Sequence, residues 1–273
     1  MGTSALLGGD AGDVKYPHYL INGRIPAAPV TFTAKAGQRV RMRIINAEAD
    51  TAFRVALGGH VMTVTHTDGY PVVRQDVDAL LIGMAERYDV VVTLEDGVFP
   101  LVALAEGKGG LARALIRTGS GQVPAAGVQP AQLQGRIGLA TALLPAPDAA
   151  LPAGTPDAQL TATLGGGMMT YPWTINGRGY DQTVPLQVRQ GQRPRLTLNN
   201  QTDMWHPMHL HSHTFALVRP DGRPGLRKDT VIVKPRTTMA VDLLADNPGV
   251  WMLHCHNRYH SESGMMTRLE YSL

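Results

Sequence analysis

The sequence predicts an all-β chain made of two Greek-key β-sandwiches in tandem, and three observations carry that reading. The first is an internal repeat. Ile21-Asn22-Gly23-Arg24 returns as Ile175-Asn176-Gly177-Arg178, and Gly37-Gln38-Arg39 returns as Gly191-Gln192-Arg193, both at an offset of 154 (175 − 21 and 191 − 37). Val30, Arg41 and Asn46 meet Val184, Arg195 and Asn200 at the same offset, while Gly97-Val98-Phe99 meets Gly249-Val250-Trp251 at 152 (249 − 97). Two copies differing by a short deletion mean a duplicated domain rather than a solenoid. The second observation is period-two alternation. The third is Asn-Gly, Asp-Gly and Pro punctuation between short runs, with no long amphipathic helical pattern.

Taken in order, residues 1–120 form the first copy. Val40-Arg41-Met42-Arg43-Ile44-Ile45 and Tyr88-Asp89-Val90-Val91-Val92-Thr93 alternate as half-buried strands do. Residues 121–160, rich in Ala, Pro, Gly and Gln, are expected to be a connector, with some order at 135–139. Residues 161–273 form the second copy, where Leu196-Thr197-Leu198 and Thr238-Met239-Ala240-Val241-Asp242-Leu243 supply matching strands. Short strands between turns, in copies of this size, suit a sandwich.

Composition removes several classes of function. The chain has 273 residues, long enough for two proper cores. Its net charge is +3, but only 17% of residues are charged and the basic ones are dispersed, so no nucleic-acid partner is expected. No apolar run is long enough to span a bilayer, so no membrane partner is expected either. Met1-Gly2-Thr3-Ser4-Ala5-Leu6-Leu7 lacks the basic region and apolar core of a signal peptide, and none is expected here. A single cysteine excludes an internal disulfide.

That cysteine carries the chemistry. Cys255 sits in His254-Cys255-His256, followed by His260 and Met265. A thiolate, imidazoles and a distant thioether make the donor set of a blue-copper site. In a strand Cys255 faces one way while His254 and His256, about 7 Å apart at Cα, face the other. A second string, His206-Pro207-Met208-His209-Leu210-His211-Ser212-His213, places His209 and His211 on one strand face as well. If the strands are neighbours, four imidazoles converge. His206 is expected to be aimed elsewhere by a turn at Pro207. The economical grouping is His206, Cys255, His260 and Met265 around one copper, with His209, His211, His254 and His256 around a separate cluster. The first copy has Ala52, Val55 and Leu57 where the second has His206, His209 and His211, and Val102-Ala103-Leu104 where it has His254-Cys255-His256. It keeps the architecture without the metal chemistry.

The strings HPMHLHSH and HCHNRYHSESGMM resemble the two copper signatures in the last domain of the multicopper oxidases, the laccase-like group, and the repeated sandwich resembles the cupredoxin domain. The resemblance takes in nearly the whole chain, since the first copy, with YLINGR and GGHVMTVTHTDG, looks like the copper-free middle domain of three-domain members. It implies that His206, Cys255, His260 and Met265 bind a mononuclear blue (type 1) copper. It also implies that His209, His211, His254 and His256 supply half of a trinuclear type 2/type 3 cluster, with His209 on the lone copper. The implied activity is one-electron oxidation of a small reducing substrate, such as a phenol, an aromatic amine or a low-valent metal ion. Electrons pass through Cys255 to His254 and His256, the residues given the catalytic role, and O₂ is reduced to water.

Two departures from the family pattern stand out. Other members supply the remaining cluster ligands from a domain bearing two His-x-His motifs, and residues 1–205 contain none, only His18, His60 and His66. The expectation is a chain like a three-domain enzyme lacking its first domain. Its blue-copper site would be competent, its trinuclear site half built, and its partner either a domain carrying the missing histidines or a second copy of itself. The alternative is a blue-copper electron-transfer module without O₂ chemistry. The other departure is Ser212, where the family usually has glycine. Serine tolerates positive φ less well.

Other conspicuous residues are expected to be ordinary. His213 should pack or hydrogen-bond beside a ligand, and His60 and His66 should be structural. Met168, Met169, Met204, Met208 and Met252 should fill core and loop rather than form a metal-binding surface. Glu262 should be an exposed carboxylate. Asp229 is open between a turn role and support of a ligand.

Overall fold

The computed structural model describes residues 2–152, 154–167, 169 and 171–272, and its four large sheets form two sandwiches. In the second copy one sheet runs Leu186–Val188, Met266–Tyr271, Val250–Cys255, His206–Leu210, Thr230–Val233. The first copy repeats that order with Thr31–Thr33, Leu111–Arg117, Val98–Ala105, Phe53–Leu57 and Ala79–Ile82. Each facing sheet is also matched. Arg39–Ile45, Arg87–Thr93, Met62–Thr67 and Tyr70–Val77 correspond to Pro194–Asn200, Thr238–Leu243, Phe215–Val218 and Pro224–Lys228. Val, Leu, Ile and Ala at alternate positions fill both interiors, as in Val55, Leu57, Val90 and Val92 or Leu196, Leu198, Val241 and Leu243.

The repeated residues do the same physical work twice. Ile21 bridges Arg24 and Ile175 bridges Arg178 around Asn-Gly turns, with Asn22 at φ 48° and Asn176 at φ 53°. Asparagine and glycine are the residues that enter the left-handed region most readily, which is why the motif survives in both copies. Buried Asn46 donates to the carbonyls of Thr51 and Ile82, and buried Asn200 donates to those of Met204 and Val233.

The copies differ at one edge. Pro194–Asn200 is covered by Ala158–Gly165 in parallel register, and its residues alternate buried and half-buried. Among the described residues no strand covers the equivalent edge of Arg39–Ile45, whose residues alternate exposed and half-buried.

Segment 121–160 is not the loose connector expected from its composition. Ile137–Gly138 adds a parallel strand beside Ala79–Ile82, Val72 bridges Pro145, and Leu133, Leu143 and Ala149 are buried. Its last residues already belong to strand Ala158–Gly165. A few well-spaced apolar side chains anchor it to the first sandwich in spite of its Pro and Ala content.

The sandwiches meet through buried charge. Lys228 of the second is fully buried, 2.9 Å from Asp68 Oδ2 and 3.1 Å from Glu86 Oε1 of the first, and it donates to Thr67 Oγ1 at 2.8 Å. Among the described residues no helix is long and apolar enough to cross a membrane.

Candidate metal centre

The strand His206–Leu210 lies between Thr230–Val233 and Val250–Cys255, with Met208 opposite Cys255 and His209 opposite His254. This register sorts the donors. His206, Met208 and Leu210 share the inner face with Cys255, whereas His209 shares the outer face with His254. The turn expected at Pro207 does not exist, because Pro207 lies inside the strand. His206 and His209 face opposite ways because they stand three positions apart, an odd offset in a period of two.

On the inner side Cys255, His206 and His260 are fully buried. Cys255 Sγ lies 3.7 Å from His206 Nδ1 and 3.6 Å from His260 Nδ1, and the two nitrogens are 3.0 Å apart. Each ring's other nitrogen is occupied. His206 Nε2 meets Thr202 Oγ1 at 2.7 Å, and His260 Nε2 meets Asp13 Oδ2 at 2.9 Å. Both contacts place the proton on Nε2 and turn the Nδ1 lone pair toward the sulfur. A single S–H can satisfy only one of the two lone pairs in this dry space, whereas a cation would satisfy both lone pairs and the thiolate together. A first-row ion about 2.0–2.3 Å from each donor spans edges of this length, so the residues fit a soft N₂S site. Burial pushes the Cys255 thiol well above the usual thiol range and His206 well below the usual imidazole range, which leaves both neutral without metal.

His260 reaches this position on the α-helix Arg258–Glu262, capped by Asn257, whose Oδ1 accepts from the N–H groups of Tyr259 and His260. Met265 is fully buried. Its carbonyl accepts from Cys255 N–H at 3.1 Å and its N–H donates to His260 O at 2.9 Å, while the adjacent Met266 pairs with His254 and is only half-buried. Trp173 closes the site, its ring 4.0 Å from that of His260 and 5.3 Å from that of His206.

The outer side holds the other imidazoles. His211 Nε2 is 3.0 Å from His254 Nε2, and the ring centroid of His209 lies 5.0 Å from His211, 5.6 Å from His254 and 5.9 Å from His256. His209, His211 and His254 have donor atoms close enough to share an ion. His209 Nδ1 donates to Asp229 O at 2.8 Å, which leaves Nε2 free. Burial lowers His254 to about 4, and burial followed by the charge of His209 lowers His211 and His256. Neutral imidazoles offer lone pairs at neutral pH. Unlike the inner set this one is open: His211 is exposed, and a cleft of about 300 Å³ lined by Tyr70, His209, Ser212, His213 and Asp229 adjoins it.

The remaining singled-out residues have plain roles. His213 is buried, with Nε2 2.6 Å from Tyr271 OH and its ring stacked on that tyrosine. His60 bonds Gly58 O and Glu95 N, and half-buried His66 bonds Thr65 Oγ1. Met204 and Met208 are buried, Met252 is half-buried, Met169 is exposed, and Met168 lies outside the described residues. Glu262 is exposed beside Arg258. Asp229 orients a candidate ligand, since its carbonyl accepts from His209 Nδ1. Ser212 adopts φ 53°.

Sequence reasoning missed Asp13, Thr202 and Trp173. The only available signal was position: Thr202 and Trp173 lie just ahead of motif residues, whereas Asp13 belongs to the copy without ligands.

Comparison with known proteins agrees with this geometry. The multicopper oxidase family matches residues 4–121 and, through a second profile of the same description, 154–272. Multicopper oxidase MmcO of Mycobacterium tuberculosis is 61% identical over 99% of this chain and 54% of its own length. A copper resistance protein A homolog of Pseudomonas syringae pv. tomato is 26% identical over 90% of this chain and 57% of its own length. The crystal structure of Fet3p, a multicopper oxidase that functions in iron import, superposes with a TM-score of 0.75 at 22% identity, over 89% of this chain and 57% of that one. The chain thus spans about half the length of the curated relatives it matches. With two cupredoxin-like sandwiches, a buried Cys-His-His set and a family match over each copy, the chain belongs to the multicopper oxidases, a copper-dependent family.

Proposed function

We propose that this chain is the blue-copper-bearing part of a laccase-like oxidase. A small reducing substrate gives up single electrons at the Cys255 site, and the strand delivers them to an oxygen-reducing site. The remaining imidazoles of that second site come from another domain or chain. One observation carries the reading: Cys255 lies in the inner donor set while its sequence neighbour His254 lies in the outer one, so a single peptide unit joins the two sets. When bound, copper supplies one-electron redox chemistry at the thiolate and multi-electron chemistry toward O₂ at the imidazole cluster. The protein's own contribution is to keep Cys255, His206 and His260 dry and fixed, and to gather four imidazoles on the outer side of the same sheet.

A second reading is favoured by the openness of the outer set. With His211 exposed and four imidazoles at hand, the chain alone would act as an electron-transfer module. Copper loading tests both readings. The wild type should turn blue and Cys255→Ser colourless; a blue Cys255→Ser protein removes the assignment. Copper count and O₂ uptake with a phenolic dye then separate the two. About four coppers per chain with fast uptake would show that no outside ligands are needed. One or two coppers with slow uptake, rising when a His-x-His-bearing partner is added, supports the shared site.

A further inference from the structure

We propose that the buried Lys108–Asp50 pair of the first sandwich is a positioning device for His260, the thiolate-site ligand carried by the second. The inference rests on the copper reading above for the purpose of His260, but its geometry is independent of any metal.

The 152-residue offset that aligns His254-Cys255-His256 with Val102-Ala103-Leu104 carries His260 onto Lys108 (260 − 152). Where the second copy places a ligand imidazole on the short helix after its strand, the first places an ammonium. That ammonium is buried, 2.5 Å from Asp50 Oδ2, and it also donates to Val14 O at 2.7 Å. A buried carboxylate and ammonium hold each other firmly, because neither can separate without leaving a bare charge in a dry interior.

Asp50 uses its remaining capacity on the second sandwich by two routes. In the first, Oδ1 accepts from Asp13 N–H at 3.2 Å and Oδ2 from Val14 N–H at 2.8 Å. This fixes the backbone that aims the Asp13 carboxylate at His260 Nε2. In the second, Oδ1 accepts from Asn257 Nδ2 at 2.5 Å, which leaves Asn257 Oδ1 turned toward the helix to cap Tyr259 and His260. Arg258 N–H adds a bond to Ala49 O at 2.9 Å. The ring and the backbone of His260 are therefore both held by groups that meet on one carboxylate.

Packing at the junction leaves no slack. Gly12 has φ +124°, and a Cβ there would lie 2.8 Å from both Asp50 O and Lys108 Nζ. The other ligand imidazole shows the contrast: His206 Nε2 is bound by Thr202 of its own sandwich. Of the two imidazoles beside Cys255, His260 is steered from across the interface and His206 from within its own sandwich.

Asn257→Ser keeps an oxygen able to cap the helix and cuts the amide bond to Asp50. Asp50→Asn keeps the shape and removes the charge that faces Lys108. Arg136→Gln, at a surface pair of the same sandwich, is the control. Two readouts serve: ¹⁵N imidazole NMR of the metal-free protein, which reports the His260 tautomer, and copper competition with the visible band of the loaded protein. We expect Asn257→Ser to fold cooperatively, to lose the dominance of the Nε2–H tautomer, and to weaken copper at the thiolate site about 10–100-fold with a shifted band. Asp50→Asn should do the same or more, and Arg136→Gln should do nothing. Folded Asn257→Ser with unchanged tautomer, affinity and band overturns the proposal, as does an equal change in the control, and this variant decides the matter even if Asp50→Asn fails to fold. A wild type that never turns blue would instead strike the copper reading, leaving the tautomer measurement to decide this one.

Discussion

Arg87 of the first sandwich grips Asp229 of the second through two bonds, Nη1 to Oδ1 at 2.6 Å and Nη2 to Oδ2 at 2.7 Å. The carbonyl of the same Asp229 takes the Nδ1 proton of His209, so this fork sets the direction of an imidazole it never touches. Arg87→Lys replaces a planar two-point grip with a single point charge. The expected outcome is weaker copper binding at the outer set, by about tenfold or more. Stability should fall by about 1–2 kcal/mol, kept small because Arg87 is one-third exposed. Copper competition and urea unfolding check the two halves.

Lys228 gives a pH-dependent prediction. Burial alone would push its ammonium down, but Asp68 and Glu86 hold it above the ordinary lysine range. Its stabilising contribution is therefore fully present below that range and is lost only in strong alkali. Burial raises the Glu86 carboxyl even with this partner in place. In Lys228→Met the Glu86 carboxyl loses its cation, so the folded variant keeps a proton that the unfolded chain releases, and its stability falls as pH rises. A deficit of about 3–5 kcal/mol is expected at pH 8, and a smaller one at pH 5. Urea unfolding at both values measures it; equal deficits would contradict the assignment.

Ser212 occupies the left-handed region at φ 53°. Glycine there removes the Cβ penalty, offset in part by the greater entropy it gives the unfolded chain. Ser212→Gly should gain about 0.5–1 kcal/mol, visible as a higher thermal midpoint, with the blue band unchanged.

Thr202 Oγ1 receives the Nε2 proton of His206 and sits within bond distance of Asn200 Oδ1 and Met204 O. Thr202→Val keeps the shape and strands that proton in a dry site. Copper at the thiolate site should weaken about 10–100-fold, measured by competition with a chromophoric chelator.

The parts of the site that could be read from sequence are those whose chemistry is unusual. A lone cysteine between two histidines, and the absence of both residue types at the matching positions of the first copy, announce themselves. Asp13, Thr202, Asp50 and Lys108 do not, because aspartate, threonine and lysine occur everywhere and acquire a role only through contacts made by folding. Pro207 teaches a different lesson. A turn residue was expected to separate His206 from His209, but strand alternation separates them without any turn. The connector misled for a related reason: composition reports average tendency, whereas Leu133, Leu143 and Ala149 bury themselves singly.

The seclusion of Cys255 has a practical consequence. Its sulfur is fully buried and held as the thiol in the metal-free chain, so neither alkylating reagents nor peroxide should reach it in the native state. The labelling rate of the sole sulfhydryl then becomes a clock for how often the second sandwich breathes open, read directly by mass spectrometry on the unmodified sequence.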